Sequence, residues 1–264
     1  MLKLGLIPSV DPGLMIKEAQ PFINALSAAV GQEVEATVPP DYDAVGQGLA
    51  NGSIDIGFVG PAGYVVAKDK LNASIDPISR GVLDIGNSSW GRAIIVCHAD
   101  SGIKEVRGLK GKSFAFSDPI STSGYYFPYQ VLAERGVNPE TDLRAVSMTG
   151  SLGASLQHVA DGTVDAAGIG DEILALSIQR GELEDGEIKT IYEGDPIPGS
   201  LFVVRNTLDG ELLAGIKNTI LAMKNMPFCK IGLISSMDPA SDQEYDVVRD
   251  QLSKFEKCHA ELTK

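Results

Sequence analysis

The amino-acid sequence predicts an α/β protein built from two similar lobes. Strand-like apolar runs alternate along the chain with segments of helical apolar spacing, which is typical of α/β folds with largely parallel sheets. One pattern also occurs twice, at 49–60 and again at 159–170. With 264 residues, the chain is long enough to form two domains of modest size.

The first predicted elements are a buried strand at 2–7 and a long helix. This helix runs from Leu14 to Val30 with apolar residues at helical spacing, and it ends before Gly31, a typical helix terminator. Further strands are predicted at 33–38, 54–59, 93–96, 113–116, 143–147, 164–169 and 201–204. Further helices are predicted at 43–50, 125–134, 152–160, 173–180, 208–223 and 242–260.

The repeated pattern is LANGSIDIGFVG at 49–60 and VADGTVDAAGIG at 159–170. Each copy reads as a helix end, a glycine turn, a buried strand and a loop that begins another helix. Generic βα units share much of this chemistry, so the likeness can also arise without a structural repeat. We favour two lobes built alike, each presenting the carboxyl ends of its strands, where ligands bind in open α/β sheets.

Composition and charge restrict the class of partner. The net charge of −13 argues against binding to nucleic acid or to an anionic membrane surface, since both need basic patches. No apolar run is long enough to span a bilayer. The chain begins on a strand with no signal-peptide pattern, so the protein is either cytoplasmic or a signal peptide has been removed. No metal or cofactor is expected, and the sequence has three histidines without metal-ligand spacing: His98, His158 and His259.

The segment SDPISTSG at 117–124 clusters short hydroxyl side chains between a predicted strand and a predicted helix. If Ser121, Thr122 and Ser123 begin the helix, its first N–H groups and its dipole point at the same place. The hydroxyls add uncharged donors, which suit a small oxyanion that must be bound and released. The alternative is that one of these residues only caps the helix.

The longer segment LKGKSFAFSDPISTSG at 109–124 resembles the hallmark of the phosphate/phosphite/phosphonate-type periplasmic solute-binding proteins. Four other stretches resemble this family in the right order: PDYDAV at 40–45, DIGFVGPA at 55–62, AIIVCHADSG at 93–102 and GTVDAA at 162–167. The resemblance implies a type II periplasmic-binding-protein fold, with two α/β lobes joined by two crossover strands. We expect the first lobe at 1–93 plus 204–264 and the second at 94–203.

The resemblance also implies a function without catalysis. Members capture a small oxyanion of the phosphite, phosphonate or phosphate class between the lobes. They deliver it to the membrane subunits of an ABC transporter or, in some members, signal to a sensor histidine kinase. We therefore expect a monomeric, periplasmic binding protein whose signal peptide is absent from this sequence.

Carried over position by position, the family site includes a tyrosine that reaches the anion, here Tyr42, and an aromatic wall, here Trp90. Ser121, Thr122 and Ser123 match the anion cradle. At two of the remaining positions the residue differs from the one usual in phosphonate binders, and at two others an acidic residue could compensate. They are Leu152 where a histidine is usual, Ser200 where an acidic residue is expected, and the acidic pair Asp171 and Glu172. The pair either restores the missing acidity or only favours its helix N-terminus electrostatically.

The three cysteines raise a second possibility for the ligand. An exported protein with three cysteines has at most one internal disulfide, which we predict between Cys229 and Cys258, with about 3–4 kcal/mol of stabilisation. Cys97 then remains free. It is either a small buried apolar residue or a soft thiolate ligand for a metalloid. The second role resembles a branch of the family that senses arsenite and signals to a histidine kinase.

A phosphoester hydrolase is the rival class of function. Ser121 or Ser123 would be its nucleophile, but no histidine lies near the serine segment in sequence to act as a base. A transcription-regulator effector domain would need a DNA-binding segment, and the sequence shows none. We therefore predict a binding protein and not an enzyme.

Overall fold

The computed structural model describes residues 1–228 and 233–263. The chain forms two compact units. The first contains Met1–Trp90 and Pro198–Asp246, and the second contains Gly91–Ile197 and Val247–Lys264. Over the described residues, no helix is both long and apolar enough to cross a membrane.

The secondary structure alternates as the sequence predicts. The strands are β1 Leu2–Leu6, β2 Val34–Thr37, β3 Ile56–Val59, β4 Ile75–Leu83, β5 Trp90–His98, β6 Ser113–Phe116, β7 Ala145–Met148, β8 Ala166–Gly170, β9 Ile188–Pro198, β10 Leu201–Arg205, β11 Met226–Pro227 and β12 Leu233–Pro239. The helices are α1 Pro12–Val30, α2 Tyr42–Asn51, α3 Pro61–Val65, α4 Phe127–Glu134, α5 Leu152–Ala160, α6 Asp171–Gln179, α7 Gly210–Ala222 and α8 Asp246–Leu262.

The sheet of the first unit has the strand order β11-β12-β4-β10-β3-β1-β2. Its β2, β1 and β3 strands are parallel, as the βα pattern predicts. The strands β10, β4, β12 and β11 pair antiparallel, so only part of this sheet has the predicted parallel arrangement. The core contains four stacked or edge-on aromatic rings whose centroids lie 4.8–5.1 Å apart: Phe22, Phe58, Phe202 and Phe228.

The sheet of the second unit has the order β7-β6-β8-β5-β9. Again a central strand, β6, is parallel to both neighbours, β7 and β8, whereas β5 is antiparallel to β8. The two repeated sequence patterns occupy equivalent places in this scheme. Each supplies the end of a helix, a glycine with positive φ (Gly52 and Gly162) and the strand beside the central one, β3 or β8. The hypothesis of two lobes built alike is therefore supported by strand order and direction.

The last helix, α8, differs from its predicted assignment. The sequence analysis placed 204–264 in the first lobe, but residues from Val247 onward belong to the second unit. Phe255 of α8 packs against Tyr126 with ring centroids 4.8 Å apart and against Tyr129 at 5.1 Å. These aromatic contacts bury the apolar face of α8 on the second unit. The chain thus passes between the units at a third place, between Asp246 and Val247, in addition to the two predicted crossover strands.

Candidate functional site

The serine segment lies where the sequence places it, at the start of a helical segment of the second unit. Strand β6 ends at Phe116, and a π-helical turn at Thr122–Tyr126 continues directly into α4. Ser121 caps this turn, because its Oγ accepts a hydrogen bond from the Gly124 N–H at 3.1 Å. Ser121 and Thr122 are buried, and Ser123 is half-buried. Thr122 and Ser123 occupy the first two helical positions, so their N–H groups lie at the amino-terminal end of the turn.

The segment is also attached to the carboxyl end of β6. The N–H of Ser117 donates to the carbonyl of Gly124 at 3.0 Å, and the N–H of Ser121 donates to the carbonyl of Asp118 at 2.8 Å. The Asp118 carboxylate accepts from the Ile120 N–H at 2.7 Å. These bonds close 117–124 into a fixed loop. Its hydroxyls and helix start therefore have defined positions before any ligand binds.

Ser117 is a candidate that the sequence analysis did not select. Its Oγ is buried and has no hydrogen-bond partner among the described residues. A buried hydroxyl without a partner costs free energy, so its presence is a signal of function or of close packing. Gly124 lies directly over it, since a Cβ on Gly124 would be 1.9 Å from the Ser117 Oγ. Only glycine fits at this position of the loop.

Helix α5 brings a second helix N-terminus to the same edge of the sheet. Ser151 caps it by accepting from the Ala154 N–H at 3.2 Å, and the Gly150 N–H donates to the Ser117 carbonyl at 2.8 Å. The first helical residue is Leu152, which is 7% exposed and whose Cδ2 lies 2.7 Å from a Cβ placed on Gly124. Leu152, which departs from the family pattern, thus places an apolar side chain against the serine loop.

The acidic pair begins α6 at the carboxyl end of β8. The Asp171 Oδ1 accepts from the N–H of Arg92 at 2.9 Å and from that of Glu172 at 3.0 Å. Asp171 therefore ties α6 to β5, in addition to any contact with a ligand. The Glu172 carboxylate lies over the backbone of Gly170, where a Cβ would be 2.3 Å from its Oε2. Burial, and then the neighbouring Asp171, raise the pKa of Glu172 to about 8.

We expect the Glu172→Gln variant to gain stability relative to the unaltered protein as the pH rises. The folded protein holds a proton on Glu172 that the unfolded chain releases above pH 4.5. Stability is therefore lost as the pH rises from 4.5 toward about 8 and is constant above that range. Glutamine does not titrate, so the stability of the Glu172→Gln variant relative to the unaltered protein increases across the same pH range.

Urea unfolding at several pH values across that window measures the effect. Glu211→Gln is the matched control, because Glu211 is also the second residue of a helix, α7, but is exposed. Parallel pH curves for the Glu172→Gln variant and the unaltered protein would contradict the raised pKa.

In the first unit, Tyr42 is the first residue of α2, after a cap in which Asp41 accepts from the Ala44 N–H at 2.7 Å. Its side chain is buried, with 4% of its surface exposed. Ser9 follows the central strand β1 and was not predicted from sequence. Its buried Oγ has no hydrogen-bond partner among the described residues, as for Ser117 after the central strand of the other unit. The signal in both cases is a serine just past a buried parallel strand.

Trp90 and Ser200 flank one backbone contact in the first unit. The Gly199 N–H donates to the carbonyl of Ser89 at 3.0 Å, and Ser200 and Trp90 are the residues that follow these two. Trp90 is 41% exposed, and its ring contacts the guanidinium of Arg80 at 5.5 Å from the ring centroid. Arg80 is another residue that the sequence analysis did not select.

The predicted disulfide cannot be traced at both ends, because Cys229 lies outside the described residues. Cys258 packs against the apolar cluster of the second unit and has no disulfide partner among the described residues. Cys97 is fully buried in β5, where the Ser101 hydroxyl donates to its Sγ at 3.3 Å. These surroundings favour the first of its two predicted roles, a small buried core residue. The described residues contain no cluster of three or more His, Cys, Asp or Glu that could hold a metal ion.

Comparison with known proteins agrees with this architecture. A binding-protein component of a phosphonate ABC transporter from Pseudomonas aeruginosa superposes with a TM-score of 0.87 at 22% identity, covering 99% of this chain and 88% of that one. PhnD1 from Prochlorococcus marinus, solved in complex with methylphosphonate, has a TM-score of 0.85 at 18% identity, covering 97% and 98%. A phosphate-import protein PhnD from Mycolicibacterium smegmatis is 29% identical over 280 residues, covering 97% of this chain and 87% of that protein.

The fold is that of the type II periplasmic-binding-protein class. The profile of one family, described as "ABC transporter, phosphonate, periplasmic substrate-binding protein", matches residues 4–245. The chain therefore belongs to the family of periplasmic substrate-binding proteins of phosphonate ABC transporters. Its relatives are substrate-binding proteins that act with a transporter, and not enzymes.

Proposed function

We propose that this protein captures a small phosphorus oxyanion, of the phosphonate or phosphate class, on the serine loop of its second unit. It then delivers the anion to the membrane subunits of an ABC transporter. The observation that carries the proposal is the helix start at Ser121–Ser123, where buried hydroxyls and N–H groups lie together. The segment 113–134 contains no lysine or arginine, so the anion is held by neutral donors. Such donors bind an anion without the strong ion pair that would slow its release.

The relatives support a ligand of this class. Phosphate is the substrate named for the mycobacterial relative, and methylphosphonate is bound in the Prochlorococcus structure. Leu152 beside the loop adds a preference for compact oxyanions, because an apolar side chain offers no partner to a charged substituent. Asp171 and Glu172 supply acidity at the next helix start, and Tyr42, Trp90 and Ser200 are the first-unit residues that we assign to the site.

Calorimetric titration with methylphosphonate, phosphite, phosphate, arsenate and arsenite tests the ligand class. We expect a phosphorus oxyanion to bind most tightly. Arsenite as the tightest ligand would instead support the sensor of the same family, with a histidine kinase as its partner. We propose that the protein acts as a monomer in the periplasm, and sedimentation of the ligand-bound protein checks its oligomeric state.

The variants Ser121→Ala and Thr122→Val should each weaken methylphosphonate binding by about 1–3 kcal/mol. Each removes a hydroxyl from the anion cradle, and a hydrogen bond to a charged group contributes about this much. Valine keeps the shape of Thr122, so packing is preserved there. Calorimetry measures the affinity, and thermal unfolding measures the stability of each variant.

Asp209→Ala is the matched control for the loss of a helix cap. Asp209 caps α7 by accepting from the Glu211 N–H at 3.0 Å, and its removal should cost about 1 kcal/mol of stability with no loss of affinity. Unchanged affinity in both Ser121→Ala and Thr122→Val would show that the loop is only a cap. Hydrolysis of a generic phosphomonoester by the purified protein would support the rival hydrolase class.

A further inference from the structure

Arg80 of β4 is a buried cation with incomplete hydrogen bonding. Its side chain is 4% exposed, and its Nη2 donates to the Glu244 Oε1 at 2.8 Å. The Nε and Nη1 atoms are also buried, but they have no hydrogen-bond partner among the described residues. Because unsatisfied buried donors are costly, the position needs another source of favourable interaction.

Trp90 supplies that interaction. The guanidinium carbon of Arg80 lies 5.5 Å from the centroid of the indole ring, within the range of a cation–π contact. Tyr245 is fully buried, and its hydroxyl interacts with the guanidinium of Arg80. Burial alone would lower the pKa of Arg80, but the contacts with Glu244 and Tyr245 raise it above its ordinary value. Arg80 therefore stays charged beside the ring.

Glu244 is itself held in place. Its Oε2 accepts from the backbone N–H of Ser241 at 2.7 Å and from the Ser241 hydroxyl at 3.0 Å, in a capping box at the start of the turn before α8. The Arg80 contact and these bonds lower the pKa of Glu244 to about 2, so it is ionised at neutral pH. One end of the Arg80 guanidinium is thus fixed by a carboxylate that cannot move freely.

We propose that Arg80 is a positioning residue that fixes the Trp90 ring as part of the ligand site, with Glu244 fixing Arg80 in turn. The role in binding rests on the proposed function, in which Trp90 walls the site. The contact between Arg80 and the Trp90 ring does not depend on the proposed function. A substantially exposed indole has many orientations in solution, and a charged plane held behind it selects one of them. A wall that is already oriented costs less entropy when a ligand binds against it.

Trp90 is the only tryptophan of the chain, so intrinsic fluorescence reports on this residue alone. The variants are Arg80→Met, which removes the charge and keeps much of the volume, and Glu244→Gln, which releases Arg80 without contacting Trp90. Lys217→Met is the control, because it removes a surface ion pair with Asp76 on the same strand, β4. Each protein is measured by acrylamide quenching without ligand and by titration with methylphosphonate, and circular dichroism confirms folding.

We expect Arg80→Met to shift the emission of Trp90, to increase its quenching and to raise the Kd for methylphosphonate about tenfold, as for the loss of one cation–π contact. Glu244→Gln should change the quenching of Trp90 and the Kd in the same direction, but by less. If Arg80→Met fails to fold, the Glu244→Gln result tests the positioning role. Lys217→Met should change neither.

Quenching that is unchanged in Arg80→Met and Glu244→Gln would overturn the positioning role. Increased quenching with an unchanged Kd would also overturn it, since the Trp90 ring would then be mobile but ligand binding would not be affected. If the unaltered protein binds neither methylphosphonate nor phosphate, the proposed function fails. The quenching of the ligand-free variants would still show whether Arg80 fixes Trp90.

Discussion

Replacing Gly124 by alanine should destabilise the protein by about 3 kcal/mol and weaken methylphosphonate binding at least tenfold, because the new methyl group has no room. Its Cβ would lie 1.9 Å from the Oγ and 2.9 Å from the Cβ of Ser117, and 2.7 Å from the Cδ2 of Leu152. Ser117 is tied to the end of β6, so the loop must move instead. That movement displaces the N–H groups of Thr122 and Ser123 from the place that we propose for the anion.

Urea unfolding and calorimetry measure the two effects, and Gly210→Ala is the control. Gly210 is also an early helical residue, but nothing lies within 4 Å of the position of its Cβ. Adding Ser117→Ala to Gly124→Ala should restore part of the stability, because it removes the nearest atom. Equal stability of Gly124→Ala and Gly210→Ala would refute the packing argument.

The Phe255→Ala variant should lose about 3–4 kcal/mol, because Phe255 is the main apolar contact of α8 with the second unit. Its ring packs against Tyr125, Tyr126 and Tyr129 at centroid distances of 5.5, 4.8 and 5.1 Å. The same tyrosines immediately follow the serine loop. Loss of the ring should therefore loosen both α8 and the helix that begins at the serine loop.

Denaturant unfolding gives the stability, and hydrogen exchange at 122–134 and 247–262 localises the change. Val247→Ala provides the comparison within α8, because Val247 is 38% exposed and should cost less than 1 kcal/mol. If hydrogen exchange in the Phe255→Ala variant increases in the first unit and not at 122–134, the assignment of α8 to the second unit is contradicted.

Those parts of the fold that depend on local pattern were predictable from the sequence. Both βα units with the repeated pattern form as predicted, because a glycine turn and a buried apolar strand are encoded within a dozen residues. The strands β4, β9, β11 and β12 were missed. Strand β4 reads IDPISRGVL, with a proline and two charged residues that argue against a buried strand. Its charges are neutralised by residues far along the chain, since Lys217 pairs with Asp76 and Glu244 with Arg80.

The site residues stay predictions, but the local structure on which they rest divides in the same way. The capped helix start at the serine loop was predictable because its hydroxyls, its cap and its helix are adjacent in sequence. Ser117, Ser9 and Arg80 gave no such signal, because a serine or arginine looks ordinary until its burial and its missing partners are known. The disulfide between Cys229 and Cys258 stays a prediction, since Cys229 lies outside the described residues.

The sequence by itself determined the α/β class, the paired βα units and the hydroxyl-rich helix start, all of which depend on residues within one or two turns of each other. Only the tertiary structure decided which unit α8 joins, that glycine is required over Ser117, and that Arg80 lies against Trp90. Each of these depends on contacts between segments distant in sequence. Burial and packing act through space, and a buried guanidinium is tolerated only where a carboxylate and an aromatic face arrive from other parts of the chain.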